Sequence, residues 1–328
     1  MNKLGKLDAR NLPVLVTVGL FLFMFGAGSV AFPGFFSLQN FLNLLIDNAY
    51  LLILGVGMTF VIVSGGIDLS VGSVLALSTM ITSSLLEKAH FDPVAVILIV
   101  LLAGTSLGLF MGYLIQEFEI PPFIVTLAGL YLARGLCYVI SIDTIAVQNP
   151  VFKDIAGFHL ELGPDAFLST GACVALVVVL GGWALSRYSK FGRTVFAIGG
   201  NETSALLMGL PVHRTKILIY ALSGFCAALA GVVFTFYTLS GYALDGKGME
   251  LDTIASVVIG GTLLTGGVGS ILGTVFGVFV YGSIQVLIMF QGTLNSWWTR
   301  IVIGLLVFLF CILQRFFESR KARTPTAH

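Results

Sequence analysis

Asp68 stands in SGGIDLSVGS (64–73), between an apolar run that ends at Val63 and another that begins at Val71. A carboxylate among glycines and hydroxyls in such surroundings can hold an ion, meet a polar solute or mark a hinge. A charge at the bilayer centre costs about 2.5–3.5 kcal/mol on insertion scales, and backbone groups there must find partners within protein or water. The segment therefore lies in protein, lines an aqueous cavity or turns at the membrane surface, with Ser70 beside Asp68 as a second polar candidate. Another set, Asn40, Asn43, Asp47 and Tyr50, is spaced i, i+3, i+7 and i+10 on one helical face, with Asn48 adjoining. Lipid opposes such a stripe, so it faces the protein interior or a vestibule. Arg134, midway along an apolar run, either snorkels, forms a structural pair or meets a solute. Asn43, Asp47, Asn48, Asp68, Ser70, Thr126 and Arg134 are thus the candidate substrate-pathway residues.

No set of residues points to catalysis. The four histidines, His90, His159, His213 and His328, are scattered, and there is no HExxH, GxSxG or paired-carboxylate site. GYALDGK (241–247) matches a phosphate-binding loop for seven positions, but Gly248 replaces the Ser or Thr that would hold Mg²⁺. Cys137, Cys173, Cys226 and Cys311 lie far apart in apolar segments and read as packing residues. The chain is expected to be non-catalytic, with no cofactor and no metal. Its charges are clustered and its net charge is only +1, which gives no footprint for nucleic acid.

These residues must be positioned by membrane spans. The chain has 328 residues, 57% hydrophobic and 10% charged, against about 25% charged in soluble domains. A span needs about 20 apolar residues. Apolar runs fall at 12–32, 41–64, 71–86, 94–116, 123–141, 167–186, 216–239, 253–266, 270–290 and 298–314. The expectation is an all-α polytopic membrane protein of about ten transmembrane helices, short or broken near 64–73 and 253–270. The first run is longer than a signal-peptide core, so it is read as a retained span.

Twelve of the seventeen lysines and arginines lie in the N-terminus, in 187–216 or in the tail. All three segments should be cytoplasmic, and ten crossings satisfy that parity. The expected organisation is a cytoplasmic N-terminus (1–11), a transmembrane domain (12–314) and a cytoplasmic tail (315–328). The acidic stretch 142–166 falls outside, Trp297 and Trp298 suit an outer aromatic belt, and SGGIDLSVGS falls at the cytoplasmic end as an inner gate or hinge. Glycines at i+4 spacing (Gly104, Gly108, Gly112; Gly269, Gly273, Gly277) offer smooth stripes for neighbouring helices. A weak echo between 64–75 and 265–272 hints at an internal repeat.

The cytoplasmic loop 187–215 carries its own signals. Asn201 can cap a short helix, Glu202 suits its positive end, Gly209 suits a left-handed C-terminal position and Pro211 stops continuation. Such a helix, with Ala205 and Met208 available for packing, either rests on the membrane domain or docks a cytoplasmic partner.

GGIDLSVGS (65–73), IPPFIVTLAG (120–129), FGRTVFAIGGNETSALLMGL (191–210) and ELDTIASVVIGGTLLTGGVGS (250–270) resemble the permease subunits of ribose-type monosaccharide ABC importers. GYAL (241–244), IASVVIGGTLL (254–264) and NSWW (295–298) are most similar to permeases of galactofuranose importers. The resemblance implies an inner-membrane subunit that pairs with a second permease, a cytoplasmic ATP-binding subunit and a periplasmic sugar-binding protein. It also implies that Gly199, Gly200, Asn201, Ala205, Met208 and Gly209 belong to the element coupled to the ATPase. The competing readings are an ion-coupled secondary transporter using Asp68 and a polytopic membrane enzyme.

Overall fold

Proline, glycine and capping side chains cut the apolar sequence into fourteen helices among the residues described by the computed structural model, 12–163, 166–292 and 297–322. α1 (Leu12–Ala31) leads to α2 (Leu38–Asp47), whose first turn is capped by Ser37 accepting from the Asn40 N–H at 3.1 Å. α3 (Ala49–Val63) and α4 (Val71–Glu87) flank the Asp68 segment. α5 (Pro93–Glu117) starts at Asp92, which accepts from the Val94 and Ala95 N–H groups, and α6 (Pro122–Ile140) opens on a proline. β1 (Ile145–Ala146), α7 (Pro150–Gly157), β2 (His159–Gly163) and β3 (Ala166–Ser169) follow. Next come α8 (Thr170–Tyr188), α9 (Lys190–Gly200), α10 (Glu202–Leu207), α11 (Val212–Thr238) and β4 (Ser240–Gly241). α12 (Met249–Ile259), α13 (Ile271–Gln291) and α14 (Trp297–Ala322) complete the chain.

The all-α polytopic architecture holds, but the helix count differs. Among the described residues six helices are long and apolar enough to cross a membrane, or seven if α2 and α3 form one bent span. The run 41–64 is broken by 57° at Asn48. Asn48 leaves helical geometry (φ −113°, ψ 17°), and its side-chain amide donates to the Leu44 carbonyl at 3.0 Å. Tyr50 thus belongs to α3, and the face expected through Asn40, Asn43, Asp47 and Tyr50 is interrupted. The run 253–266 is not a spanning helix either. α12 has 11 residues, about 16 Å of helix, and the chain beyond it turns so that the Leu263 N–H donates to the Val268 carbonyl at 3.0 Å.

Glycine stripes set the packing. A methyl group at Gly104 would meet the Gly224 carbonyl at 2.7 Å, and one at Gly273 would collide with the Gly260 carbonyl. α5 therefore lies tight against α11, and α13 against α12. α11 runs through the centre, touching α3, α4 and α5.

Two non-helical limbs enter the bundle from opposite ends. From Val63, beside Gly199 and Gly267, residues 64–70 lead back inward until Asp68 meets Ser223, near the middle of the 27-residue α11. From β4, residues 241–248 run through successive turns along α4, Gly241 beside Ser83 and Gly246 beside Gly72. α4 and α12 therefore both begin inside the bundle. Their first turns meet where a methyl group on Gly72 would touch the Glu250 backbone nitrogen at 3.4 Å, beside the Gly246 carbonyl of the limb at 2.5 Å. The expected placement of SGGIDLSVGS at one end is corrected: Asp68 is wholly buried in mid-bundle. Its burial rules out a surface turn.

Candidate functional site

The bend at Asn48 brings the end of α2 and the start of α3 to the last turn of α11, the first turns of α12 and α14, and the second half of α13. Between them is a cavity of about 550 Å³ lined by Asp47, Asn48, Tyr50, Tyr237, Asp252, Tyr281, Gln285, Trp297, Thr299 and Arg300, among others. Its polar groups come in pairs. The Tyr237 hydroxyl donates to Asp47 Oδ1 at 3.5 Å, and the Tyr281 hydroxyl donates to Asp252 Oδ2 at 3.1 Å. The Arg300 guanidinium lies 5.1 Å from the centre of the Trp297 ring. Tyr50 is held edge-on by Phe234, with ring centres 5.0 Å apart.

Asn48 donates to Leu44, and its Oδ1 is buried with no hydrogen-bond partner among the described residues. A buried acceptor of that kind costs about 1–3 kcal/mol until a donor arrives. The cavity thus offers carboxylate and amide acceptors, phenol and guanidinium donors, and aromatic faces. That mixture suits a polyhydroxylated ring, with polar edges for the hydroxyls and ring faces for the C–H surface.

Five of the seven sequence-derived pathway candidates gather in two places. Asp47 and Asn48 line the cavity. Asp68, Ser70 and Arg134 lie at the junction of the two limbs. Asp68 Oδ1 accepts from the Ser70 N–H (2.9 Å) and hydroxyl (2.6 Å), and Oδ2 accepts from the Ser223 hydroxyl (2.6 Å). Arg134 Nη1 donates to the Ala243 and Asp245 carbonyls at 2.6 and 2.7 Å, while Asp245 Oδ2 accepts from the Tyr242 N–H and the Thr79 hydroxyl. Asn43 accepts from Gln39, and the Thr126 hydroxyl donates to Pro122 within its own helix. The junction adjoins the cavity through the first turn of α12, which carries both Glu250, beside Gly72, and Asp252 in the cavity wall.

Sequence reading missed Tyr237, Asp252, Tyr281, Gln285 and Arg300, and took Trp297 for a belt residue. Tyr281 and Gln285 at i+4 in an apolar helix were the available signal. Asp252 gave little, because only the fold shows that the run holding it begins inside the bundle.

The 187–215 segment forms α9 and α10. Asn201 Oδ1 accepts from the Ser204 N–H at 2.7 Å, Gly209 takes φ +74°, and Ala205 packs against Ile198 and Val212. Leu207 and Met208 are 85% and 67% exposed. Gly199 and Gly200 are the last residues of α9 rather than loop. A methyl group at Gly199 would collide with the Val63 carbonyl and the Gly267 N–H, so α9 abuts the end of α3, where the Asp68 limb starts.

The family model described as branched-chain amino acid transport system / permease component matches residues 40–311. The chain is 48% identical over 321 residues to the inner membrane ABC transporter permease protein YjfF of Escherichia coli, covering 97% of each. It is 42% identical to the fructose import permease protein FruG of Bifidobacterium longum, covering 94% of this chain and 92% of that one. The ribose import permease protein RbsC of Bacillus subtilis is 36% identical, with 91% of each chain covered. No solved structure matches.

Proposed function

We propose, from the premise that this chain belongs to the branched-chain amino acid transport system / permease component family, that it forms the translocation pathway of an ATP-driven monosaccharide importer. The observation that carries this is the cavity at the Asn48 bend, with its two carboxylate–tyrosine pairs, its amides and its Trp297 face. Fructose and ribose stand in the names of its relatives, and the motif resemblance favours galactofuranose. The partners are a second permease, a cytoplasmic ATP-binding subunit and a periplasmic sugar-binding protein. The chain lies in the bacterial inner membrane with both termini in the cytoplasm.

In this scheme the ATP-binding subunit docks on α10 through the exposed Leu207 and Met208. Movement of α10 passes through α9 to Gly199, which abuts both the end of α3 and the 266–267 turn. The Asp68 limb leads from those contacts to its junction with the Asp245 limb, where α12, part of the cavity wall, begins. Sugar is held weakly, because a tight site would hinder release. Asp68 acts here as a hinge, both its carboxylate oxygens engaged by serines, and the ion-coupled reading draws no support from it.

The test is uptake by the reconstituted complex. Tyr281→Phe removes the hydroxyl facing Asp252 and is expected to raise the apparent KM for galactofuranose about fivefold, the equivalent of one net hydrogen bond of about 1 kcal/mol. Unchanged KM and kcat in both Tyr281→Phe and Asp252→Asn would remove the cavity from the pathway.

A further inference from the structure

A second cavity, of about 830 Å³, lies far from the sugar site, where α1 and α13 begin and α8 ends. Three long apolar helices terminate at one level there, so the cavity sits at a boundary between hydrocarbon and water whichever way the chain is oriented. Its wall combines the guanidinium groups of Arg187 and Arg193 with Trp183, Val14, Leu15 and Leu272. Leu15 and Leu272 are 46% and 47% exposed, and both arginines are exposed beside them. The lining contains no Asp or Glu among the described residues. Among the described residues the arginines meet no carboxylate, the one ion pair there being Lys216 with Glu202. The Arg193 guanidinium donates, among the described residues, one long bond, to the Tyr188 carbonyl at 3.3 Å.

We propose that this cavity binds the phosphate headgroup of an anionic phospholipid, with its acyl chains along α1 and α13. Two guanidinium groups that meet no carboxylate among the described residues match a phosphodiester. The exposed leucines match the chain region below it, and tryptophan is the side chain favoured at that depth. The cytoplasmic leaflet, against which the basic segments of this chain are read, is the anionic one. A soluble phosphate would match the arginines but would leave the leucines in water.

The experiment uses the full-length chain, purified and delipidated in detergent, with bound lipid read by native mass spectrometry after adding phosphatidylglycerol or phosphatidylcholine. Each arginine near an anionic surface contributes about fivefold, so phosphatidylglycerol should be favoured by about 25-fold. The Arg187→Gln, Arg193→Gln double variant should lose that preference while binding phosphatidylcholine as before. The Arg187→Lys, Arg193→Lys variant should keep most of it. The wild-type arm needs no mutant to fold, and equal retention of the two lipids there overturns the proposal. Displacement of phosphatidylglycerol by inorganic phosphate reassigns the site to a soluble anion and also overturns it. So does a Gln double variant that retains the lipid but loses the ATP-binding subunit, since the arginines would then serve a protein contact.

Discussion

Replacing Arg134 by Gln separates two roles that its position in the middle of α6 leaves open, contact with substrate and clamping of the 241–248 limb. Both bonds from Nη1 end on main-chain carbonyls, those of Ala243 and Asp245. A hydrogen bond from a charged donor contributes about 1.5–3 kcal/mol net. Arg134 is partly exposed, so the lower end of that range applies, and the pair contributes about 3 kcal/mol. Gln is shorter, carries no charge and cannot span both acceptors. The expected loss of about 3 kcal/mol corresponds to a fall in midpoint of roughly 6–12 °C for a large domain. The assay is thermal unfolding of the purified chain beside sugar uptake by the reconstituted complex. The clamp predicts a lower midpoint together with a lower maximal rate at unchanged KM, and partial recovery of both in Arg134→Lys. An unaltered midpoint with a raised KM would refute it and make Arg134 a substrate contact.

Gly199→Val drives a side chain into the Val63 carbonyl and the Gly267 N–H; ATP hydrolysis in the complex should lose its stimulation by sugar-loaded binding protein, and normal stimulation would break the link between α9 and the Asp68 limb. Asp68→Asn turns one of two acceptor oxygens into a donor facing a serine, at a cost of about 1–3 kcal/mol. Transport should fall at least tenfold while the binding protein still docks in a pull-down, and unchanged transport would end the hinge role. Leu207→Asp with Met208→Asp puts charge on the exposed end of α10 and should weaken capture of the ATP-binding subunit without changing insertion of the chain; full capture would move the docking surface elsewhere.

Where local chemistry decides structure, the sequence could be read directly. Asn201, Gly209 and the glycine stripes of α5 and α13 each occupy the geometry that their residue type favours. The long spans were equally plain, because twenty apolar residues admit few alternatives in lipid. What escaped depends on contacts distant in sequence. Asn48 breaks a continuous apolar run because its amide turns back to Leu44, and hydropathy carries no trace of that. Lying between the runs 216–239 and 253–266, the 241–248 limb falls outside by the parity of ten crossings, yet it is drawn inward beside α4 by Gly72 and Gly246 and held by Arg134. The echo between 64–75 and 265–272 gave no hint of a second relation that the fold displays. The partner of the Asp68 limb is 241–248, with an aspartate just ahead of a half-helix in both, and the two run in opposite senses. Half of the cavity was hidden for the same reason, since Asp252 enters its wall only once α12 begins inside the bundle.

The short strands impose an asymmetry on any motion of the bundle. β1 pairs with β4, the Val147 N–H donates to the Leu239 carbonyl, and Glu87 accepts from the Gln148 and Asn149 N–H groups. These bonds stitch the ends of α4 and α11 to the 145–149 segment, so that end behaves as a fulcrum. At the opposite end α3, α9 and the 266–267 turn are joined by close glycine contacts and by the Gly267 N–H donating to the Val63 carbonyl at 2.8 Å, with no strand pairing there among the described residues. α11 has 27 residues, about 40 Å of lever, so a tilt of roughly 5° about the stitched end displaces its other end by about 3.5 Å. Strands of two residues in a helical protein thus fix where a small rotation is converted into a stroke.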